Sequence, residues 1–450
     1  MRELHVLSRH AGTVFVGQIA VMAFGVTDTL VAARYSSEAL AALSVGSATY
    51  ISIFVALLGV LTAQLPVWSE LRGAGRALEL GRSVRQSLYL ALAVMAAGMA
   101  VLLLPGPLLA WTQVPPALRV DVEGYLAILA LALPPALLFR LYSTLNQSLG
   151  KPLLVTWIQI GSLGLKIPLS VWFVFGGAGL PSLGVAGCAL ATLVVNWSML
   201  AIAVLMLRTQ DLYTPYRLWQ RLERPHWATI RGFARLGIPT GLAVMVEVTS
   251  FTLMALFIAR QGTVAAASHQ VASTLTAMLY MMPLSLGIAT SARVSYWIGA
   301  RHLAQARAVM RLGLQLTLGL ALSCALLVWL LHQPLARLFA GPNPPVVMLA
   351  ASLLPWVALY HLADAVQAVC VFILRSFGIA TASLVIYSLL LWGVGLGGGY
   401  LLAYEGLWGL PAQNTPSAFW IAAFVALALT AGAFMALLIG VARRPLRTAR

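Results

Sequence analysis

The chain has 450 residues, of which 61% are hydrophobic and 9% charged, with a mean hydropathy of +0.91. Soluble domains carry about 25% charged residues, so a water-soluble fold of this length is excluded; short alternating segments, the mark of a membrane β-barrel, are absent. The formal net charge of +16 would point to nucleic acid in a soluble chain, but the placement of the arginines gives it another meaning.

About twelve apolar stretches follow one another, each long enough to cross roughly 30 Å of hydrocarbon as a helix. They cover 11–33, 40–66, 87–111, 124–148, 153–177, 184–207, 236–259, 264–292, 312–336, 345–374, 378–403 and 418–442. The first is not a cleaved signal peptide: its apolar run is too long, it holds Gln18 and Asp28, and no small-residue cleavage site follows. Between the spans, basic residues crowd alternate loops: Arg2 and Arg9; Arg72, Arg76, Arg82 and Arg85; Lys151; six arginines from Arg208 to Arg235; Arg293, Arg301, Arg307 and Arg311; Arg375; then Arg443, Arg444, Arg447 and Arg450. The intervening loops hold only Arg34, Arg119, Arg260 and Arg337. This is the positive-inside pattern of an inner-membrane protein with both termini cytoplasmic; the basic charge is topology, and no nucleic-acid partner is expected.

The longest polar stretch, 208–235, reads as a cytoplasmic linker with an amphipathic part, carrying Trp219 and Trp227, at the membrane interface. It separates two sets of six spans that resemble each other. LNQSLG at 145–150 answers ILRSFG at 373–378, and LGVAG at 183–187 answers EGLWG at 405–409, in the same order at an offset of roughly 220–230 residues. The expected fold is therefore an all-α polytopic membrane protein with two pseudo-symmetric six-helix bundles, 1–222 with the linker and 223–450. Parallel repeats of this kind are a transporter architecture with substrate bound at mid-depth. Pro134, Pro135, Pro168, Pro239, Pro283 and Pro355 fall inside spans and kink their helices.

Three of the twelve acids sit within apolar spans: Asp28, Glu247 and Asp364. A carboxylate there is costly, so an intramembrane acid is a functional candidate by default. Glu247 and Asp364 fall at a similar depth, roughly 15–17 Å from the cytoplasmic ends of their spans. Two such carboxylates facing one cavity hold a proton near neutral pH or bind a small cation such as Na⁺. Tyr360 lies on the same helical face as Asp364, with His361 and Gln367 as further polar neighbours. Lys166, a lone lysine in the fifth span, either pairs with Asp28 or competes with a coupling ion. Arg140, Asn146, Gln147 and Asn196 are further polar groups of the first half, and Met278, Tyr280, Met281 and Met282 are candidates for an adaptable cavity wall in the second.

Other signals carry no chemistry. Gly393, Gly395 and Gly398 match GxGxxG inside an apolar span with no preceding strand, so helix packing explains them. His269 near a span start reads as a packed residue. Cys188, Cys324 and Cys370 lie in apolar spans without metal-ligand spacing and read as buried free thiols. No Walker motif appears, which argues against ATP as the energy source, and no cofactor is expected.

The stretches GQIAVMAFGVTDTLVAARYSSEALAALSVG (17–46), KIPLSVWFVFG (166–176), LGIPTGLAVMVEVTSFTLMALFIA (236–259), ASHQVA (267–272), MMPLSLGIATSARVSYWIGA (281–300) and HLADAVQAV (361–369) together resemble multidrug and toxic compound extrusion (MATE) transporters of the NorM-like branch, over essentially the whole chain. The resemblance implies a cation-coupled antiporter, not an enzyme, working as a monomer in the lipid bilayer and exporting bulky, often cationic aromatic drugs or toxins in exchange for Na⁺ or H⁺. It implies cation coupling at Glu247, Tyr360 and Asp364, with Asp28 as the first-helix acid; Lys166 stands where the family tends to carry asparagine. Lys166, Gln367, Tyr280, Met281, Met282 and Asn196 are the expected cavity residues. Two alternatives are a lipid-linked-saccharide flippase, for which Lys166 and Arg140 are the hints, and a polytopic membrane transferase, which would need clustered catalytic groups that the sequence lacks.

Overall fold

The structure, a computed structural model, describes residues 2–106, 116–177, 179–406, 409 and 411–443. Among the described residues, twelve helices are long and apolar enough to cross a membrane. They are α1 (Glu3–Tyr35), α2 (Ser37–Gly73), α3 (Ala77–Leu103), α4 (Leu118–Ser148), α5 (Leu153–Phe175), α6 (Val185–Thr209), α7 (Trp227–Ala259), α8 (Thr263–Gly299), α9 (Leu303–Leu330), α10 (Pro344–Ser376), α11 (Thr381–Glu405) and α12 (Pro416–Arg443). Most outrun the stretch that hydropathy marks, because backbone hydrogen bonding continues past the point where side chains turn polar. The third differs most. It begins at Ala77, in a polar segment that hydropathy ignores, and stops at Leu103, just ahead of Pro105, which disfavours helix in the residue before it. The remainder of that predicted span, 107–111, lies outside the described residues, as do Leu407 and Trp408 of the second turn motif and Arg444, Arg447 and Arg450.

Contacts between Cα atoms divide the chain into two compact units, Val16–Gly241 and Met1–Phe15 with Leu242–Arg450. Within the first, α4 packs on α2, α3 and α6, and α5 packs on α6. Within the second, α10 packs on α8, α9 and α12, and α11 packs on α12. The second pattern is the first with six added to each helix number. The fourth helix of each set is accordingly the most enclosed.

The matched motifs LNQSLG and ILRSFG end these two central helices in the same way. Gly150 and Gly378 both take positive φ, +67° and +74°, a conformation in which a side chain is strained. Gly150 N donates to Gln147 O at 3.0 Å and Lys151 N to Asn146 O at 2.8 Å; Gly378 N donates to Arg375 O at 3.0 Å and Ile379 N to Leu374 O at 3.1 Å. The repeat is thus a shared helix stop as well as a shared pattern of letters.

The linker stretch 208–235 is helical at both ends, in α6 to Thr209 and in α7 from Trp227. Asp211–Tyr216 forms a short 3₁₀ turn, and the chain then runs irregularly to α7. It is strapped to α3: Arg85 pairs with Glu223 at 2.6 Å and donates to Arg217 O at 2.7 Å, Tyr89 OH donates to Glu223 O at 2.7 Å, and the Gln86 amide bonds both Arg224 O and His226 N. Trp219 and Trp227 remain exposed.

Candidate functional site

In the unit containing α7–α12, three helices bring polar groups to one place. Along α7, Glu247, Ser250, Phe251 and Met254 recur at helical spacing and share a face. Along α10 the same spacing aligns Tyr360, Asp364 and Gln367, and α11 contributes Tyr387. Gln367 is fully buried and joins the group: its Nε2 donates to Asp364 Oδ1 at 2.8 Å and to Glu247 Oε1 at 3.4 Å, while its Oε1 accepts the Tyr387 hydroxyl. The carboxylates only accept, so they take the NH₂ group, and the amide oxygen is left for the Tyr387 hydroxyl. Glu247 and Asp364, placed at one depth by the sequence, are therefore held by one amide across two helices.

Of the two acids, Glu247 lines a narrow cleft, together with Ser250, Phe251, Met254 and Tyr360 and with Leu391, Leu396 and Leu427 of α11 and α12. Phe251 and Tyr360 are its aromatic residues, and the fully buried Trp420 packs behind them. Tyr360 meets Trp420 edge-on at 5.5 Å and Phe251 at 6.3 Å between ring centroids, and Phe251 meets Trp420 at 5.9 Å. Tyr360 lines the cleft, and among the described residues its hydroxyl makes no hydrogen bond to Asp364.

Helix α11 is wound to fit. Ser388–Gly397 and Leu401–Glu405 are π-helical, a form common at functional sites. A side chain on Gly395 would meet Ala426 and one on Gly399 would meet Phe419, so the glycine run lets α11 and α12 pack closely. The widened segment is tied to α7, with Trp392 Nε1 donating to Val246 O at 3.3 Å and Ser250 Oγ to Leu391 O at 3.4 Å.

Other expected cavity residues lie elsewhere. Tyr280, within electrostatic reach of both acids, Met281 and Met282 stand on α8 and do not line this cleft, whose methionine is Met254. His269 is buried against Phe251 and Trp420, with Ser273 Oγ on its Nε2 at 3.1 Å. No group of three or more His, Cys, Asp or Glu side chains able to hold a metal occurs among the described residues. Cys188 and Cys370 are free and buried, while Cys324 is free and half-buried.

In the other unit Asp28 is paired. Lys166 Nζ lies 2.7 Å from Asp28 Oδ1 and also donates to Thr192 Oγ1 at 2.7 Å and Cys188 O at 3.1 Å; Ser170 Oγ donates to the same carboxylate oxygen at 3.2 Å. Asn196 donates to Ala132 O at 3.4 Å, Asn146 accepts the Tyr213 hydroxyl at 2.8 Å, and Gln147 donates to Ser143, so these amides are spent on packing α4.

Sequence reasoning missed Phe251, Trp420 and Tyr387. Phe251 was readable, standing one turn after Glu247 on the same face. Tyr387 and Trp420 were not, because only helix packing brings α11 and α12 against α10.

The family profile MatE matches residues 14–172 and 239–401, one block in each set of six helices. The chain belongs to the MatE family. It is 38% identical over 439 residues to a probable multidrug resistance protein NorM of Aromatoleum aromaticum, covering 98% of this chain and 94% of that one. It is 32% identical over 449 residues to the multidrug resistance protein PmpM of Pseudomonas aeruginosa, covering 100% and 93%. Among solved structures, the Vibrio cholerae MATE transporter VcmN in its bent form superposes with a TM-score of 0.85 at 20% identity, over 98% of this MatE chain and 97% of that one; at that identity the likeness speaks for the fold. A multi-pass protein of the bacterial inner membrane follows from the family and from the twelve apolar helices.

Proposed function

We propose that this MatE chain is an antiporter that expels bulky, often cationic aromatic compounds in exchange for Na⁺ or H⁺, coupled at Glu247 and Asp364. The observation that carries the reading is the pair of carboxylates joined through Gln367, one of them, Glu247, lining a cleft with Phe251 and Tyr360. Arg375, buried on α10, lies within electrostatic reach of Glu247 and offsets one of the two negative charges; a proton or cation offsets the other. Such an ion favours the access state in which the pair is enclosed, and an aromatic cation favours the state in which the cleft is open; exchange follows because the two ligands stabilise different conformations. Tyr360 acts as a wall for the cation. Both termini are cytoplasmic on the distribution of arginines, and the working unit is the monomer, with lipid as its surroundings and no cofactor.

The test is dye efflux from proteoliposomes with Na⁺ and H⁺ gradients imposed separately. One gradient is expected to drive export, and Glu247→Gln combined with Asp364→Asn to abolish it. Export by that double variant at the normal rate would sink the proposal. The flippase alternative rested on Lys166 and Arg140 as cationic cavity residues; Lys166 is committed to Asp28, which leaves Arg140 alone.

A further inference from the structure

Arg375 closes the last turn of α10 and is buried, with 7% of its surface exposed. It stands eleven residues after Asp364. With Ala368 and Val371 between them, the two lie on one helical face, and neither intervening residue is polar. Helical side chains lean toward the N-terminus of their helix, which on α10 is the direction of Asp364. The guanidinium accordingly comes within electrostatic reach of Glu247 on α7, Tyr280 on α8 and Tyr387 on α11.

The side chain is clamped at its base. Arg375 Cζ lies 4.6 Å from the centroid of the Phe372 ring. That ring fills the space beside Gly287 of α8, where a Cβ would stand 2.7 Å from it. One residue on, the Ser376 and Ser291 hydroxyls hydrogen-bond at 2.9 Å. Among the described residues Arg375 nevertheless makes no ion pair; those that occur join other groups. A guanidinium keeps its charge in a protein, so a fixed positive charge faces the two acids without closing on either.

Glu247, Asp364 and Arg375 therefore carry one net negative charge between them when all are ionised. The Gln367 amide is neutral, and the tyrosines add no charge as phenols. One monovalent cation cancels the remainder. A divalent cation would overshoot it and leave a positive charge away from water, which is costly. Without Arg375 the balance changes. Two carboxylates near the Ser250 and Tyr360 hydroxyls make the oxygen donor set that hard divalent cations take.

We propose that Arg375 is a tethered counter-ion that holds the Glu247–Asp364 site at a single negative charge and so restricts it to monovalent cations, shutting out Mg²⁺ and Ca²⁺. The assignment rests on the reading of the two acids as the coupling site and adds the residue that fixes its valence. Arg375 acts through Glu247 as a positioning residue. The exclusion serves exchange, because a tightly held divalent ion would keep the pair in one conformation.

The test is Mn²⁺ binding to the purified full-length protein, read by loss of the free-ion signal in electron paramagnetic resonance; Mn²⁺ takes the same oxygen donors as Mg²⁺. The wild type is expected to leave Mn²⁺ free. Arg375→Gln is expected to take up one Mn²⁺ per chain at least tenfold more tightly than the wild type, and adding Asp364→Asn to it should abolish the uptake. Arg375→Lys, which keeps the charge, should behave as the wild type. A residue that only packs the end of α10 would produce none of this pattern. Equal uptake by wild type and Arg375→Gln, no uptake by Arg375→Gln, or uptake that survives Asp364→Asn would each overturn the assignment. If Arg375→Gln does not fold, a second pair of variants decides. Glu247→Gln leaves Arg375 to cancel Asp364, so the thermal stabilisation given by the ion that drives wild-type export should vanish, and Glu247→Gln with Arg375→Gln should restore it. A double variant that stays unresponsive would overturn the counter-ion. Wild-type protein that exports dye in neither gradient would bring down the coupling reading itself, whereas normal wild-type export with Arg375→Gln blind to Mn²⁺ would bring down the counter-ion alone.

Discussion

Lys166→Met isolates what the Asp28–Lys166 pair contributes. Methionine keeps most of the length and loses the charge. Lys166 Nζ has three partners: Asp28 Oδ1 at 2.7 Å, Thr192 Oγ1 at 2.7 Å and Cys188 O at 3.1 Å. Cys188 O keeps a donor after the change, because Thr192 Oγ1 also bonds it at 3.0 Å. The damage therefore falls almost wholly on Asp28, which retains only Ser170 at 3.2 Å as a side-chain donor. Leaving one charge of a buried pair uncompensated costs about 3–5 kcal/mol, whereas replacing both partners by neutral groups of similar volume is close to neutral. Lys166→Met alone should thus lower unfolding stability by about 3–5 kcal/mol, and Asp28→Asn with Lys166→Met should recover most of it, with a coupling of about 2–3 kcal/mol. Equilibrium unfolding of the purified protein in mixed detergent, across the four members of the cycle, measures this. A single-variant loss below about 1 kcal/mol, or a double variant no more stable than the single, would refute the assignment of a buried, mutually dependent pair. Dye efflux by the stable double variant then separates a structural pair from a coupling site.

Gln367→Leu removes the donor shared by Glu247 and Asp364 and should shift the half-saturating ion concentration for exchange by about tenfold or more, with Tyr387→Phe moving it the same way by less, because the amide is then free to turn. The hydrogen bond and charge of Arg85 hold the Glu223 carboxyl below the usual carboxylate range. The strap's contribution is therefore present above the ordinary glutamate pKa of about 4.3 and is lost as the pH falls through the lowered value; limited proteolysis of 217–226 should increase in acid, and Glu223→Gln should be cut equally at both pH values. The Tyr216 carbonyl lies against Gly81 with no room for a Cβ, so Gly81→Val should loosen the strap at neutral pH in the same proteolysis assay, an effect absent if the strap does not dock there.

Much was legible in the letters because the membrane imposes a simple rule: a span must be helical and apolar for about 20 residues, and each charge within it is conspicuous. The twelve helices, the repeat, and the notice drawn to Asp28, Glu247, Asp364, Lys166 and Arg140 all come from that rule. Helical period also placed Tyr360 and Gln367 on the face of Asp364 and brought Glu247 and Asp364 to one depth. Hydropathy misjudged α3, where a polar first turn is still helix, and it gave no sign that hydrogen bonds to Arg85, Gln86 and Tyr89 strap the linker to α3.

What the letters lacked was the angular position of one helix against another, which depends on how side chains interlock. Only the tertiary structure gave Asp28 to Lys166, set Gln367 between two acids with Tyr387 on its amide oxygen, and kept Met281 and Met282 off the cleft while Trp420 packed behind Tyr360 and Phe251. Sequence determined which charges enter the membrane, because their cost is local. Structure decided which of them have partners, because a partner is a matter of distance between helices far apart in the chain, and by that measure Arg140 was left without one.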